Sequence, residues 1–550
     1  MYRQARIVAC SMLAALVASA CSREPSTPSA ASGKTHAELL TFLGEWRSFQ
    51  KPKRIGGVPD YSAQAMTAQH RELARWQSRL AAFDTTGWSI ADQVDYQIIR
   101  AEMNGLDFDH RVLKPWVNNP AFYVTVFSSE SDQPAREGPI ADGTLDFWQF
   151  AFPLSSGDAA TVESGLKNVP DFLAQARVNL TGNGKDLWTY GAAAVRDQSG
   201  DLAKLASLTT ATPTVKAAAS RAQAATDSFA TWIDGQLATK TGPSGVGVDN
   251  YNWYLKNVQL VPYTWRDEVT LMERELARSS GSLLLEEARN TGQREPAIVS
   301  SAEEHARRFN AAITEYMRFL EDHRVLTVKP WMDSALRKRI GRYSTAPREF
   351  FTEVDYRDPV VMRTHGYHWF DKGWMRFDAA AATPIRREPL LYNIFNTRTE
   401  GHATAWEELM MQAGMFDSRP RSRELIYILV AERAARALGD LRMHSNEYTL
   451  EQASEFASAN TPRGWLSLKG NLVRGEQHLY LQQPGYGTSY VVGKLQVDRL
   501  MSDRKRQLGD AFTLKRFMDE FNAVGLIPIS LVRWQLTGEL APDVKALLTP

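Results

Sequence analysis

The chain has 550 residues and balances 64 Lys and Arg against 63 Asp and Glu, for a net charge of +1. It carries no basic stripe and no nucleotide or phosphate-loop fingerprint, which argues against nucleic acid and nucleotides as partners. With 43% hydrophobic and 10% aromatic residues, a chain of this length buries large cores and has room for two or more domains.

Residues 1–20 read as a secretory signal: Arg3 and Arg6 precede a short apolar run over 7–17, and Ala18, Ser19 and Ala20 stand before Cys21. That run is shorter than the roughly 18 residues a membrane-crossing helix needs. The segment resembles a lipobox with Cys21 as the lipidated residue, although Ala18 stands where Leu is commoner. An ordinary cleaved signal with a coincidental Cys is the alternative. Residues 21–34, rich in Ser, Pro and Ala, predict a flexible tether from lipid to globule. Ser22 is not the Asp that marks inner-membrane retention, so the expected location is the bacterial outer membrane, facing the periplasm, with the lipid as the only membrane contact. The only two cysteines, Cys10 and Cys21, are then spent. Disulfides, thiol nucleophiles and thiolate zinc sites are excluded, so any metal needs His and carboxylate ligands.

An N-terminal helical region is expected over 35–320. Apolar residues recur at three and four from Leu39 to Trp46 and from Ile90 to Ile99, as long amphipathic helices require. The prolines at 115 and 120 impose a loop. Residues 158–237 are Ala-rich and predict an elongated helical hairpin, and further helices are expected from Trp265 through Arg278 and across 286–320.

A C-terminal helical region, 321–550, begins irregular and aromatic-rich. From Glu400 onward strong helices are predicted over 403–415, 422–443, 490–508 and 512–521. Period-two patterns are scarce, so the fold class is mostly α, with at most a small sheet near 122–127.

Four ordered blocks in this region carry a resemblance: Glu400-Gly-x-Ala-x-x-x-Glu407-Glu408-Leu409, Arg433-x-x-Arg436-x-x-x-Asp440-x-x-x-His444, Pro484-Gly-x-x-x-Ser-Tyr490-x-x-Gly493-Lys494, and Gly525-x-x-Pro528. Together they resemble the C-terminal half of a bacterial domain-of-unknown-function family, number 885, whose members are similar to helical zinc metallocarboxypeptidases. The resemblance implies a large helical fold with a deep central cleft. In that family an HExxPGH motif supplies two His ligands and a general-base Glu, and the Glu of a later EGWA supplies the third ligand. Glu400 matches that last Glu. HExxPGH is absent here, and His402 replaces the EGWA tryptophan.

The nearest upstream histidines are His365 and His368. With Glu400 they would make a His2Glu zinc set with an open position for water; the alternative is that they are hydrogen-bonded core residues. Asp371 is a candidate base, and Asp440 and His444 can orient a ligand or the substrate. Arg433, Arg436, Asp440 and His444 share one helix face, either an exposed charged face or, as the resemblance favours, a cleft wall on which Arg433 and Arg436 bind a substrate carboxylate. Tyr490 is a candidate hydrogen-bond donor to a developing oxyanion, or a packing residue. His402 reads best as a polar residue filling the tryptophan's place. The expectation is therefore an envelope lipoprotein of zinc metallopeptidase-like fold that hydrolyses peptides as a carboxypeptidase or dipeptidase. Its rival is an inactive relative that binds peptides or envelope components.

Overall fold

The computed structural model describes residues 34–378 and 383–549. Cys21 and the signal lie outside the described residues. The fold is mostly α. The described strands form two small two-stranded sheets: Arg54–Ile55 pairs antiparallel with Val58–Pro59, and Val126–Phe127 pairs parallel with Leu145–Asp146. No helix among the described residues is long and apolar enough to cross a membrane.

The first helices, His36–Phe49, Ala63–Ala81 and Ile90–Phe108, each start on a side-chain cap. Thr35 and Glu38 form a reciprocal capping box, and Ser62 and Ser89 accept from backbone N–H groups three residues on. Each such cap stabilises its helix by about 1 kcal/mol. At the expected break the backbone of Lys114 turns left-handed, with φ 41°, and Pro115 opens the short helix Pro115–Asn118.

The expected hairpin over 158–237 is instead three helices, Ser156–Asn179, Lys185–Ser207 and Pro213–Leu237. The chain breaks at 180–184 and again at 208–212, which gives one segment more than a hairpin has. The three pack around a core of their own that includes Leu166, Phe172, Trp188, Val195, Phe229 and Ile233. A second, larger core draws on both ends of the chain, from Leu39 and Ile98 through Tyr316, Phe370, Trp406 and Ile428 to Phe521 and Leu547. The N-terminal helices thus complete the C-terminal half.

At the centre stand Asn396–Gln412, Pro420–His444 and Tyr486–Leu508. The first starts seven residues before the predicted 403, because Tyr392 and Asn393 adopt φ 58° and 45° and turn the chain just ahead of it. It is buried almost all round, including Arg398, Glu400 and Glu407, and a buried charge is tolerated only when paired. A charge network ties it to its neighbours. Lys494 lies 3.1 Å from Glu408 and 3.5 Å from Glu275, and Arg278 contacts the same two acids at 2.9 and 2.7 Å.

Candidate metal centre

His365 ends the helix Pro359–His365, and His368 lies in the first turn of Tyr367–Phe377, with Gly366 as the joint between them. This break brings the two imidazoles to 4.9 Å between centroids, at 80° to each other. Glu400 reaches them from the second turn of Asn396–Gln412. One ligand atom from each of His365, His368 and Glu400 lies within 4.8 Å of the other two. His368 and Glu400 are buried, at 2% and 3% exposure, and His365 is half-buried.

Each member is held from behind. His365 Nδ1 lies 2.9 Å from Glu407 Oε1. Glu407 is itself gripped by two Arg433 N–H groups, at 2.6 and 2.8 Å. With Nδ1 engaged, Nε2 is the ring atom left for a ligand, and a carboxylate behind a histidine is the usual way such a ligand is oriented. Gln133 Nε2 donates to Glu400 Oε1 at 2.8 Å and lies 3.3 Å from His368 Nδ1. The Tyr486 hydroxyl donates to the same Glu400 oxygen at 2.5 Å. Across the remaining gap, His368 Nε2 and Glu400 Oε2 stand 3.2 Å apart as a buried ion pair, and neither atom has a hydrogen-bond partner elsewhere.

The charges follow from this packing. Burial opposes a charge on His368, but Glu400 and then Asp132 outweigh it and lift the imidazole to about 9. Burial would likewise raise Glu400, and His368 overrides it, holding the carboxyl at about 2. Burial and the Arg433 guanidinium push His365 the other way, below its ordinary value.

Two N/O ligands of one tetrahedral zinc, each about 2.0–2.2 Å from the metal, lie roughly 3.4 Å apart. The His368–Glu400 gap of 3.2 Å is close to that edge. The donor set of two imidazoles and one carboxylate suits zinc and leaves a fourth position for water. The residues present therefore fit the metal.

Over the cluster runs a strap, residues 128–144, between the strands Val126–Phe127 and Leu145–Asp146. It is pinned by Lys372 to Glu130 at 2.5 Å, by Arg136 to Asp146 at 2.8 Å, and by Gln483 accepting from Gly138 N at 2.6 Å. It inserts Gln133, 1% exposed, and brings Asp132 and Glu137 beside Glu400, the three carboxylates again within 4.8 Å of one another. Burial and the Asp132 charge raise Glu137 to about 7. On the other side of Arg136 and Gly138 opens a cavity of about 490 Å³, lined also by Asp109, Trp116, Tyr392 and Asn393.

The other expected site residues are placed as follows. Asp371 is buried against Arg398 at 3.0 Å, and burial raises its carboxyl. Arg433 is spent on Glu407. Arg436 contacts Glu432 and Glu476 at 2.8 and 2.5 Å, and both guanidinium groups are 1% exposed, so this face is interior. Asp440 and His444 lie 3.3 Å apart at the joint with Tyr486–Leu508. Asp440 faces the N–H groups of Gly487 and Thr488, and burial, then Glu268, raises its carboxyl well above the usual range. His444 sits against the Tyr480 carbonyl at 3.1 Å, and burial lowers it to about 4. The Tyr490 ring is packed by Arg433 and Arg436, at 5.7 and 5.5 Å. His402 is enclosed by Tyr367 and Phe521, at 4.5 and 4.8 Å. Gln133, Asp132, Glu137 and Tyr486 had no place in the sequence reading. Only Tyr486 left a signal there, since it stands one turn before Tyr490 on the same helix face.

The fold and this cluster define a large helical protein with a buried histidine–carboxylate centre. The chain belongs to the family of bacterial proteins of unknown function DUF885, which it matches over residues 38–378 and 376–536. Among solved structures it is similar to one described as a "putative lipoprotein of unknown function" from Shewanella oneidensis, at 14% identity and a TM-score of 0.66 over 92% of this chain and 100% of that one. It is also similar to a "putative lipoprotein" from Colwellia psychrerythraea, at 16% identity and a TM-score of 0.63 over 92% and 97%. At these identities the likeness extends to the fold. No curated protein matches the chain.

Proposed function

We propose that this protein is a lipid-anchored envelope protein that binds zinc through His365, His368 and Glu400 and hydrolyses peptides there. The observation that carries the reading is the convergence of these three side chains, with His368 Nε2 and Glu400 Oε2 buried, 3.2 Å apart and without any other hydrogen-bond partner. Bound there, zinc supplies a water acidified to a pKa near 7 and a Lewis acid for the peptide carbonyl. The chain's own groups do the rest: Glu407 and Arg433 fix the His365 ring, and Tyr486 steadies Glu400. The strap excludes bulk water, which strengthens every electrostatic contact beneath it. Anchoring through Cys21 and placement on the outer membrane rest on the signal sequence and belong to the same proposal.

A second reading, peptide binding without hydrolysis, is favoured by one observation. Asp371, the base expected from the sequence, is committed to Arg398, and Glu407 is committed to Arg433.

The test uses the full-length chain in detergent, with metal content measured beside cleavage of a series of unblocked di- and tripeptides. Zinc retained by the wild type and lost in Glu400→Ala, with cleavage lost alongside it, is the expected result. Zinc without cleavage selects the binding reading. Zinc that survives in Glu400→Ala contradicts the site.

A further inference from the structure

The cavity of about 490 Å³ behind the strap is lined by five aromatic residues, Tyr61, Trp116, Phe122, Tyr254 and Tyr392. We propose that it is a specificity pocket, which takes the uncharged aromatic side chain of a bound peptide while the flanking residues of that peptide lie in a neighbouring cavity. This deepens the peptidase reading and rests on it for the pocket's role in hydrolysis.

The lining disfavours a charged occupant. Its charged groups are Arg47, Asp109, Arg136 and Glu388. Arg47 is paired with Glu102 and Arg136 with Asp146, both at 2.8 Å. Asp109 is buried, and burial raises its carboxyl to about 8, so it is uncharged at neutral pH. Glu388 is exposed. Ring surface dominates the rest: Tyr61 meets Phe122 edge-on at 4.9 Å and stacks on Trp116 at 6.2 Å. A further ring makes favourable edge and offset contacts with such a wall. A mostly apolar cavity of this size with a few fixed polar groups has the character of a ligand pocket.

The backbone around the cavity is held in costly conformations. Both π-turns among the described residues border it: Asp109–Leu113 contributes Asp109 and Leu113, and Leu255–Gln259 follows directly on Tyr254. Lys114, between the lining residues Leu113 and Pro115, has φ 41°, and Tyr392 and Asn393 have φ 58° and 45°. Such π-turns and left-handed residues other than glycine gather at ligand sites.

Two features make the occupant a peptide rather than a free aromatic molecule. First, Arg136 and Gly138 line the cavity, while a carboxylate oxygen of Glu137, between them, lies within 4.8 Å of one on Glu400. Consecutive Cα atoms are about 3.8 Å apart, so one backbone thickness separates the pocket from the metal centre. Second, the pocket continues. At Leu113, Pro115, Pro139 and Gln482 it meets another cavity, of about 590 Å³, whose lining includes Asn118, Asn183 and Asn250. Each of these amides is fixed at one end. Asn118 donates to the Leu113 carbonyl and Asn250 to the Val246 carbonyl, both at 2.8 Å, and Asn183 accepts from Thr241 N at 3.0 Å. Amide side chains offer donors and acceptors together, which suits the alternating N–H and C=O groups of a peptide backbone.

The experiment titrates the full-length protein in detergent with Ala-Phe-Ala, Ala-Ala-Ala, Ala-Asp-Ala and phenylalanine amide. Binding is measured by calorimetry after chelation, which stops cleavage, and kcat/KM is measured once zinc is restored. The wild type is expected to bind Ala-Phe-Ala at least about tenfold more tightly than the other two tripeptides, and more tightly than phenylalanine amide. Ile140→Trp, which fills the pocket from the strap, should lower Ala-Phe-Ala to the affinity of Ala-Ala-Ala and leave the zinc content unchanged. Circular dichroism checks its fold, and Met66→Trp replaces it if that check fails. A wild type that binds the three tripeptides alike overturns the pocket, as does an aromatic preference that survives in the filled variant. Phenylalanine amide bound as tightly as Ala-Phe-Ala overturns the part given to the second cavity. The expected binding with no cleavage after zinc is restored overturns the peptidase reading alone and leaves the pocket standing.

Discussion

Gly401 and Gly493 touch backbone to backbone: a Cβ built on Gly401 would lie 2.3 Å from the Gly493 Cα, and one on Gly493 would lie 2.1 Å from the Thr397 carbonyl oxygen. This crossing lets Asn396–Gln412 and Tyr486–Leu508 approach closely enough for Tyr486 to reach Glu400.

Gly401→Ala should therefore destabilise the protein by about 1–3 kcal/mol, despite alanine's advantage of roughly 1 kcal/mol within a helix. The obstruction is backbone and cannot swing aside. Gly200→Ala, within Lys185–Ser207 where an added Cβ meets nothing within 4 Å, should instead stabilise by about 0.5–1 kcal/mol. Urea unfolding of the two variants checks the contrast in sign.

Arg433→Ala should cost about 3–5 kcal/mol, because it leaves the buried Glu407 carboxylate with His365 as its remaining partner. Arg433→Met combined with Glu407→Gln should cost less than the single change, since no unpaired charge remains. Both should weaken zinc binding by about 10–100-fold through the freed His365 ring, as measured by competition with a chelating dye.

Asp109 gives a dependence on pH. Burial raises its carboxyl to about 8, against the hydrogen bond from Tyr392, which lowers it. The folded chain keeps this proton while the unfolded chain releases it near pH 4. Unfolding thus sheds a proton between about pH 4 and about 8, and stability falls as pH rises through that window. Asp109→Asn should remove up to about 1.4 kcal/mol per pH unit from the slope, as read from unfolding free energies at a series of pH values.

Cys21→Ser should release the protein from the membrane fraction. Retention there would contradict lipid anchoring.

Much of the fold was legible because its signals are local. Thr35 with Glu38, Thr264 with Asp267 and Thr449 with Gln452 all form capping boxes, and the apolar spacing from Leu39 and from Ile90 marks helices without further help. The hairpin over 158–237 failed on a count of breaks that composition alone leaves open. In the site, the histidine pair and Glu400 stand out as residue types. Gln133 and Glu400 are 267 positions apart, and the strap that joins them follows no period and carries no motif. The roles of Arg433 and Arg436 turn on burial. A charged helix face and an interior one read alike until Glu407, Glu432 and Glu476 are seen opposite them.

Anomalous diffraction from crystals grown with zinc, recorded on both sides of the zinc absorption edge, decides whether the metal sits among His365, His368 and Glu400. A peak is expected about 2.0–2.2 Å from His365 Nε2, His368 Nε2 and Glu400 Oε2. No peak there, or zinc held by other residues while these three keep their present contacts, would contradict it.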